Sequence, residues 1–115
     1  MIPRKFRLTG KKEIEVVKNR GRLIQSVNFA FVWLGERGRD GGPRFGLIVS
    51  KKISTKAVVR NQIKRRLRFI LMQLAPRVKR GYDLLFLTKK SILGIAVPLL
   101  EKEVELVLTK EDIII

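Results

Sequence analysis

The sequence predicts an α+β fold, an α/β sandwich built on a single sheet, in one domain spanning residues 1–115. Three observations carry that expectation. Apolar residues make up 45% of 115 residues, enough for one core without staples. Two segments read as strands around a glycine-rich turn. Two others repeat their apolar residues at helical spacing.

Lys11–Arg20 reads as a short helix, with Thr9 as its N-cap and Gly21 as its stop. Ile14, Val17 and Lys18 fall on one side, so its apolar stripe is narrow. Residues 28–34 read as a strand in which Phe29, Phe31 and Trp33 alternate with Asn28, Ala30 and Val32. Residues 36–43 hold three glycines and a proline and mark a hairpin loop. Residues 44–53 resume as strand. Residues 55–74 form the clearest element: Val59, Ile63, Leu67, Ile70, Leu71 and Leu74 fit one helical face, Ser54 or Thr55 can cap it, and Pro76 lies just beyond. Residues 82–88 are almost wholly apolar, as a buried strand is. Pro98 suits the first helical position of a last helix, one side of which is lined by Leu100, Val104, Val107 and Leu108.

Composition removes whole classes of chemistry. There is no cysteine and no histidine, so disulfides, thiolate zinc sites, cysteine nucleophiles and Ser-His-Asp triads are excluded. Four carboxylates in the first 82 residues, widely spaced, make no obvious metal pair. Glu101, Glu103 and Glu105 spread round a helix rather than cluster. What remains is a net charge of +16, from 26 Lys and Arg against 10 Asp and Glu. It is unevenly spread: residues 1–82 hold 22 basic and 4 acidic side chains, residues 83–115 hold 4 and 6. Between Asp40 and Asp83 there are 12 basic residues and no carboxylate. A surface built for solubility mixes the signs, whereas a site for a polyanion does not. The basic start, Arg4, Lys5 and Arg7, runs into Lys11, Lys12, Glu13 and Glu15 rather than a signal-peptide core. The longest apolar run, residues 92–100, is about half a membrane span. A cytoplasmic protein with no membrane contact is expected.

The chemistry concentrates in residues 50–68, where eight of nineteen residues are Lys or Arg and none is acidic. With Val59 at 0° on a helical wheel, the apolar stripe centres near 60°, and Asn61, Arg65 and Arg68 fall at about 180–240°. Arg60 and Lys64 flank one edge and Arg66 the other. Arginine suits phosphate because its planar fork gives two parallel hydrogen bonds. Asn61 both donates and accepts, so it can bridge a phosphate oxygen and a hydrated metal ion or ribose hydroxyl. The element before this helix reads as strand, which disfavours a helix-turn-helix DNA reader. Phe29, Phe31 and Trp33 sit at the spacing of an RNA-stacking strand, although core is the commoner use of such a pattern.

Gly46-Leu47-Ile48-Val49-Ser50-Lys51-Lys52, followed by residues 57–68, AVVRNQIKRRLR, resembles the signature of the bacterial ribonuclease P protein family. The likeness extends over nearly the whole chain, through Phe6-Arg7-Leu8, Arg20-Gly21, the glycine-rich loop and Gly81-Tyr82-Asp83. It implies a ribosomal-protein-like fold with a left-handed βαβ crossover, where general topology rules favour a right-handed one. It implies a protein subunit that binds the catalytic RNase P RNA and the 5′ leader of precursor tRNA. The RNA performs the hydrolysis with Mg2+, which the RNA mainly holds. No catalytic residue, no protein-held metal and no obligate protein partner follow for this chain. The RNA-binding residues implied are Lys51, Lys52, Lys56, Arg60, Asn61, Lys64, Arg65, Arg66 and Arg68. The leader cleft implied is Ile14, Val17, Ala30, Val32 and Ser50. Two departures stand out: Gln62 replaces the second arginine of the family's Arg-Asn-Arg triplet, and the cleft positions are aliphatic where the family tends to carry aromatics. A structural RNA-binding protein of ribosomal type, without a processing role, is the alternative, and a basic DNA-binding module a third reading.

Overall fold

The computed structural model describes residues 6–35 and 42–114. The hairpin loop expected at 36–43 lies mostly outside them, but the strands on either side of it, residues 29–34 and 44–48, are separated in the sheet by a third strand, so they do not form the expected hairpin. The observed elements are α1 (Lys11–Arg20), β1 (Arg22–Gln25), β2 (Phe29–Leu34), β3 (Arg44–Ile48), α2 (Ala57–Leu74), β4 (Asp83–Thr88) and α3 (Val97–Lys110). The strands form one mixed sheet in the order β1-β2-β4-β3. β2 is antiparallel to β1 and β4, while β3 and β4 are parallel, joined by α2 as a βαβ crossover. The α+β class is as expected.

The pleat explains the two layers. Phe31 is opposite Phe86, and Leu47 is opposite Phe86 on the other side, so these side chains share one face. They meet Ile63, Leu67, Ile70, Leu71 and Leu74 of α2 and Leu100, Val104 and Leu108 of α3 in the main core. Phe31 and Phe86 stack at 5.4 Å. The opposite face carries Val32 and Leu85, which pack with Leu8 and Val17 under α1.

Four local readings are corrected. The first is β1, a four-residue strand that the sequence reading omits. Second, α1 is capped by Gly10, not Thr9, because Gly10 turns the chain at φ 89°. Third, α2 starts at Ala57 with Lys56 as N-cap. Neither Ser54 nor Thr55 caps it; the Ser54 hydroxyl instead accepts from the Lys56 N–H at 3.2 Å. Fourth, β3 stops at Ile48 rather than Ile53, because residues 50–53 close a turn with Ile53 N–H donating to the Ser50 carbonyl at 3.0 Å. Gly21 does end α1, but for reasons of space. Its φ is −79°, yet a Cβ there would lie 2.5 Å from the Val17 carbonyl and 2.6 Å from Val32 Cγ1.

Two polar clamps fix the layers. Arg44 donates through Nε and Nη2 to the fully buried Asp83 at 2.8 and 2.7 Å, and through Nη2 to Glu13 of α1 at 3.1 Å. These bonds, the one to Asp83 first, raise the Arg44 pKa against the lowering effect of burial. At the other end, Glu103 of α3 accepts from the Ser26 hydroxyl at 2.5 Å and from the Asn28 backbone and side-chain nitrogens at 3.0 and 2.6 Å. Burial works to raise the Glu103 carboxyl, but these hydrogen bonds outweigh it and hold the pKa below its ordinary value.

Candidate nucleic-acid interface

The candidate interface is built on α2. Its apolar stripe is glued to the sheet, so its remaining side chains are fixed in direction. Asn61, Arg65 and Arg66 are exposed, as are Lys51, Lys52 and Lys56 in the segment that leads into the helix. Arg60, Lys64 and Arg68 are half-buried at its margins. Arg60 is partly committed, donating from Nη1 to the Ser54 carbonyl at 2.8 Å and so tying the leading segment to the helix. None of Lys51, Lys52, Lys56, Lys64, Arg65, Arg66 and Arg68 makes an ion pair among the described residues. Five of the described acidic side chains are paired elsewhere: Glu13 and Asp83 on Arg44, Glu105 on Arg77, Glu111 on Arg22 and Asp112 on Lys79. Cations left without counter-charges on a rigid helix are poised for an external polyanion.

The margins differ. Lys64 and Arg68 line a groove of about 490 Å3 between α2, β3, Ile14 of α1 and the segment Arg7–Gly10. Arg66, on the opposite flank, borders an apolar gap with Ile63, Ile92, Ile95 and Leu100. The wheel therefore places Lys64 and Arg66 on opposite margins correctly, while Arg68 leans further toward the groove than its wheel angle implies.

The expected leader cleft is divided by the structure. Ile14 is in the groove, and Ser50 is exposed just past β3. Val17, Val32 and Ala30, at 0%, 5% and 7% exposure, are buried. Val17 and Val32 form the packing between α1 and the sheet. A ligand reaches those two only if α1 moves. Nor do the strand aromatics offer a stacking surface. Phe29 and Phe31 are fully buried, and half-buried Trp33 stacks on Tyr82 at 5.6 Å with its Nε1–H directed to Glu111 at 3.4 Å. One residue escapes the sequence reading altogether: Phe69 stands 56% exposed on the outer side of α2. Its wheel position, opposite Leu67 and Leu71, was the available signal. No group of three or more Asp, Glu, His or Cys side chains gathers at a metal-binding distance, and no helix is long and apolar enough to cross a membrane, among the described residues.

The Ribonuclease P family model matches residues 2–112. A ribonuclease P protein component from Synechococcus sp. (strain JA-2-3B'a(2-13)) is 32% identical over all of this chain and 88% of its own length. One from Rhodococcus opacus (strain B4) is 39% identical over 72% of this chain and 70% of its own. Among solved structures, the RNase P protein of Staphylococcus aureus superposes with a TM-score of 0.84 at 20% identity, covering 96% of this chain and 98% of that one. The RNase P protein of Thermotoga maritima gives 0.80 at 21%, covering 90% and 96%. These two show the fold alone. With the sequence match spanning almost every residue, the chain belongs to the ribonuclease P protein family.

Proposed function

We propose that this chain is the protein subunit of a ribonuclease P ribonucleoprotein, an endoribonuclease that removes the 5′ leader of precursor tRNA, and that the outer face of α2 is its contact with the catalytic RNA. The observation that carries this reading is the cationic, acid-free face of a helix whose other side is buried in the core. Arg65 and Arg66 give forked hydrogen bonds to phosphates, Lys51, Lys52 and Lys56 extend the positive field along the approach, and Asn61 orients a phosphate oxygen or ribose hydroxyl. The leader passes over Ile14 and Ser50, with Lys64 and Arg68 on its flank. Aliphatic contacts there hold it by packing and charge, independent of its sequence.

Hydrolysis belongs to the RNA, with Mg2+ held mainly by the RNA. The chain's own residues lower the repulsion between two RNAs brought together, and Asn61 keeps the approaching phosphates in register. The test is filter binding to a catalytic RNase P RNA across a salt series. If about five phosphates are neutralised, log K falls against log salt with a slope of roughly −3.5 to −4.5. A slope near zero overturns the electrostatic mode.

A further inference from the structure

Eight aromatic residues are present, and seven have inward duties. Phe29, Phe31, Phe45 and Phe86 are buried, Trp33 stacks on Tyr82, and Phe6 packs against the main core. Phe69 has none of these. It projects from the C-terminal half of α2, on the side away from the core stripe, and is 56% exposed. Single exposed apolar residues are ordinary on protein surfaces. The neighbours of this one are not: one turn before it, at i−4 and i−3, stand Arg65 and Arg66, and α2 contains no acidic residue at all.

We infer that Phe69 is a stacking platform for one unpaired, unstacked base of the bound RNA. The inference rests on the reading of α2 as an RNA contact and adds a second kind of chemistry to it. The arginines grip phosphates on either side of a nucleotide, and the phenyl face takes the base that the backbone turns outward. Sequence-tolerant recognition of single-stranded nucleotides combines these two features, a cationic track and an aromatic face. A second copy of this chain is the less suitable occupant. Each copy carries +16, and both would present the same uncompensated arginines to one another.

Three proteins are compared on the same RNA: wild type, Phe69→Leu and Phe69→Trp. Leucine keeps an apolar side chain of similar reach without a π face. Circular dichroism melts confirm that the fold is retained, as expected for a side chain outside the core. Phe69→Leu weakens RNA binding about 5- to 150-fold, the range that base–aromatic stacking spans. It leaves the salt slope unchanged, since no charge is removed. Phe69→Trp restores affinity, and its added fluorescence, relative to wild type with Trp33 alone, is quenched when RNA binds. If wild type itself shows no salt-dependent binding, the reading of α2 fails and this inference with it. If wild type binds as expected but Phe69→Leu binds equally well and the Phe69→Trp emission does not respond, the stacking inference alone is overturned. It is also overturned if Phe69→Leu abolishes self-association in sedimentation without altering RNA affinity.

Discussion

Arg44→Met breaks the clamp that joins α1 to the sheet, and the structure fixes both the size and the asymmetry of the effect. Asp83 is fully buried, so removing the guanidinium takes two charge-assisted hydrogen bonds and the neutralising charge from a carboxylate in the core. Breaking a buried ion pair in this way costs about 3–5 kcal/mol. Asp83→Leu strands the other partner, but Arg44 is 22% exposed and keeps Glu13 at 3.1 Å. Its cost is therefore smaller than that of Arg44→Met. The double variant Arg44→Met/Asp83→Leu replaces the pair by apolar groups and loses less than the sum of the two, since such replacements are close to neutral. Urea unfolding at pH 7, checked for a constant m-value, gives all three numbers. In thermal melts the Arg44→Met loss corresponds to roughly 4 °C per kcal/mol for a domain of this size. Additive single-variant effects, or a larger cost for Asp83→Leu than for Arg44→Met, refute the burial argument.

Other consequences follow from the same geometry. Leu67→Ala removes a fully buried side chain of α2 and costs about 2–5 kcal/mol, whereas Arg65→Ala stays within about 0.5 kcal/mol and weakens RNA binding instead; paired unfolding and filter-binding measurements separate them. Glu103 has a depressed pKa in the fold, so its hydrogen bonds to Ser26 and Asn28 contribute stability that is present above its ordinary pKa near 4.5 and lost as pH falls through the lower folded value. The gap in melting temperature between wild type and Glu103→Gln therefore narrows as pH is lowered from 6 to 3, and a gap that widens contradicts the sign. Gly21→Ala places a methyl against two backbone carbonyls, those of Val17 and Trp33, and costs about 1–3 kcal/mol in urea unfolding although its φ suits alanine.

The long elements were legible because burial imposes a period. α2 and α3 show their inner stripes in the sequence, and β4 shows its two buried faces as an unbroken apolar run. β1 was not legible: four residues at a sheet edge, only Ile24 of them half-buried, leave too short a pattern to distinguish from a turn. The cap of α1 depends on one positive φ at Gly10, which a Thr-Gly pair does not announce. For the interface, the direction of Asn61, Arg65 and Arg66 was readable because it depends only on where the helix buries its stripe. The cleft was not, because Val17 and Val32 are brought together by the docking of α1 over the sheet, a tertiary event with no local signature. Phe69 becomes legible as an outward aromatic only when its angle on the helix is compared with those of Leu67 and Leu71.

The most direct measurement is cleavage of a precursor tRNA by a catalytic RNase P RNA over a magnesium series, with and without this protein. Cations held along α2 take over part of the charge screening that magnesium otherwise supplies, so the protein lowers the magnesium concentration for half-maximal cleavage and has less effect at saturation. Asn61→Ala raises that midpoint while removing no charge, and the protein without RNA cleaves nothing. A midpoint that does not move when the protein is added, or cleavage by the RNA-free protein, contradicts the assignment of this chain as an RNA-supporting subunit.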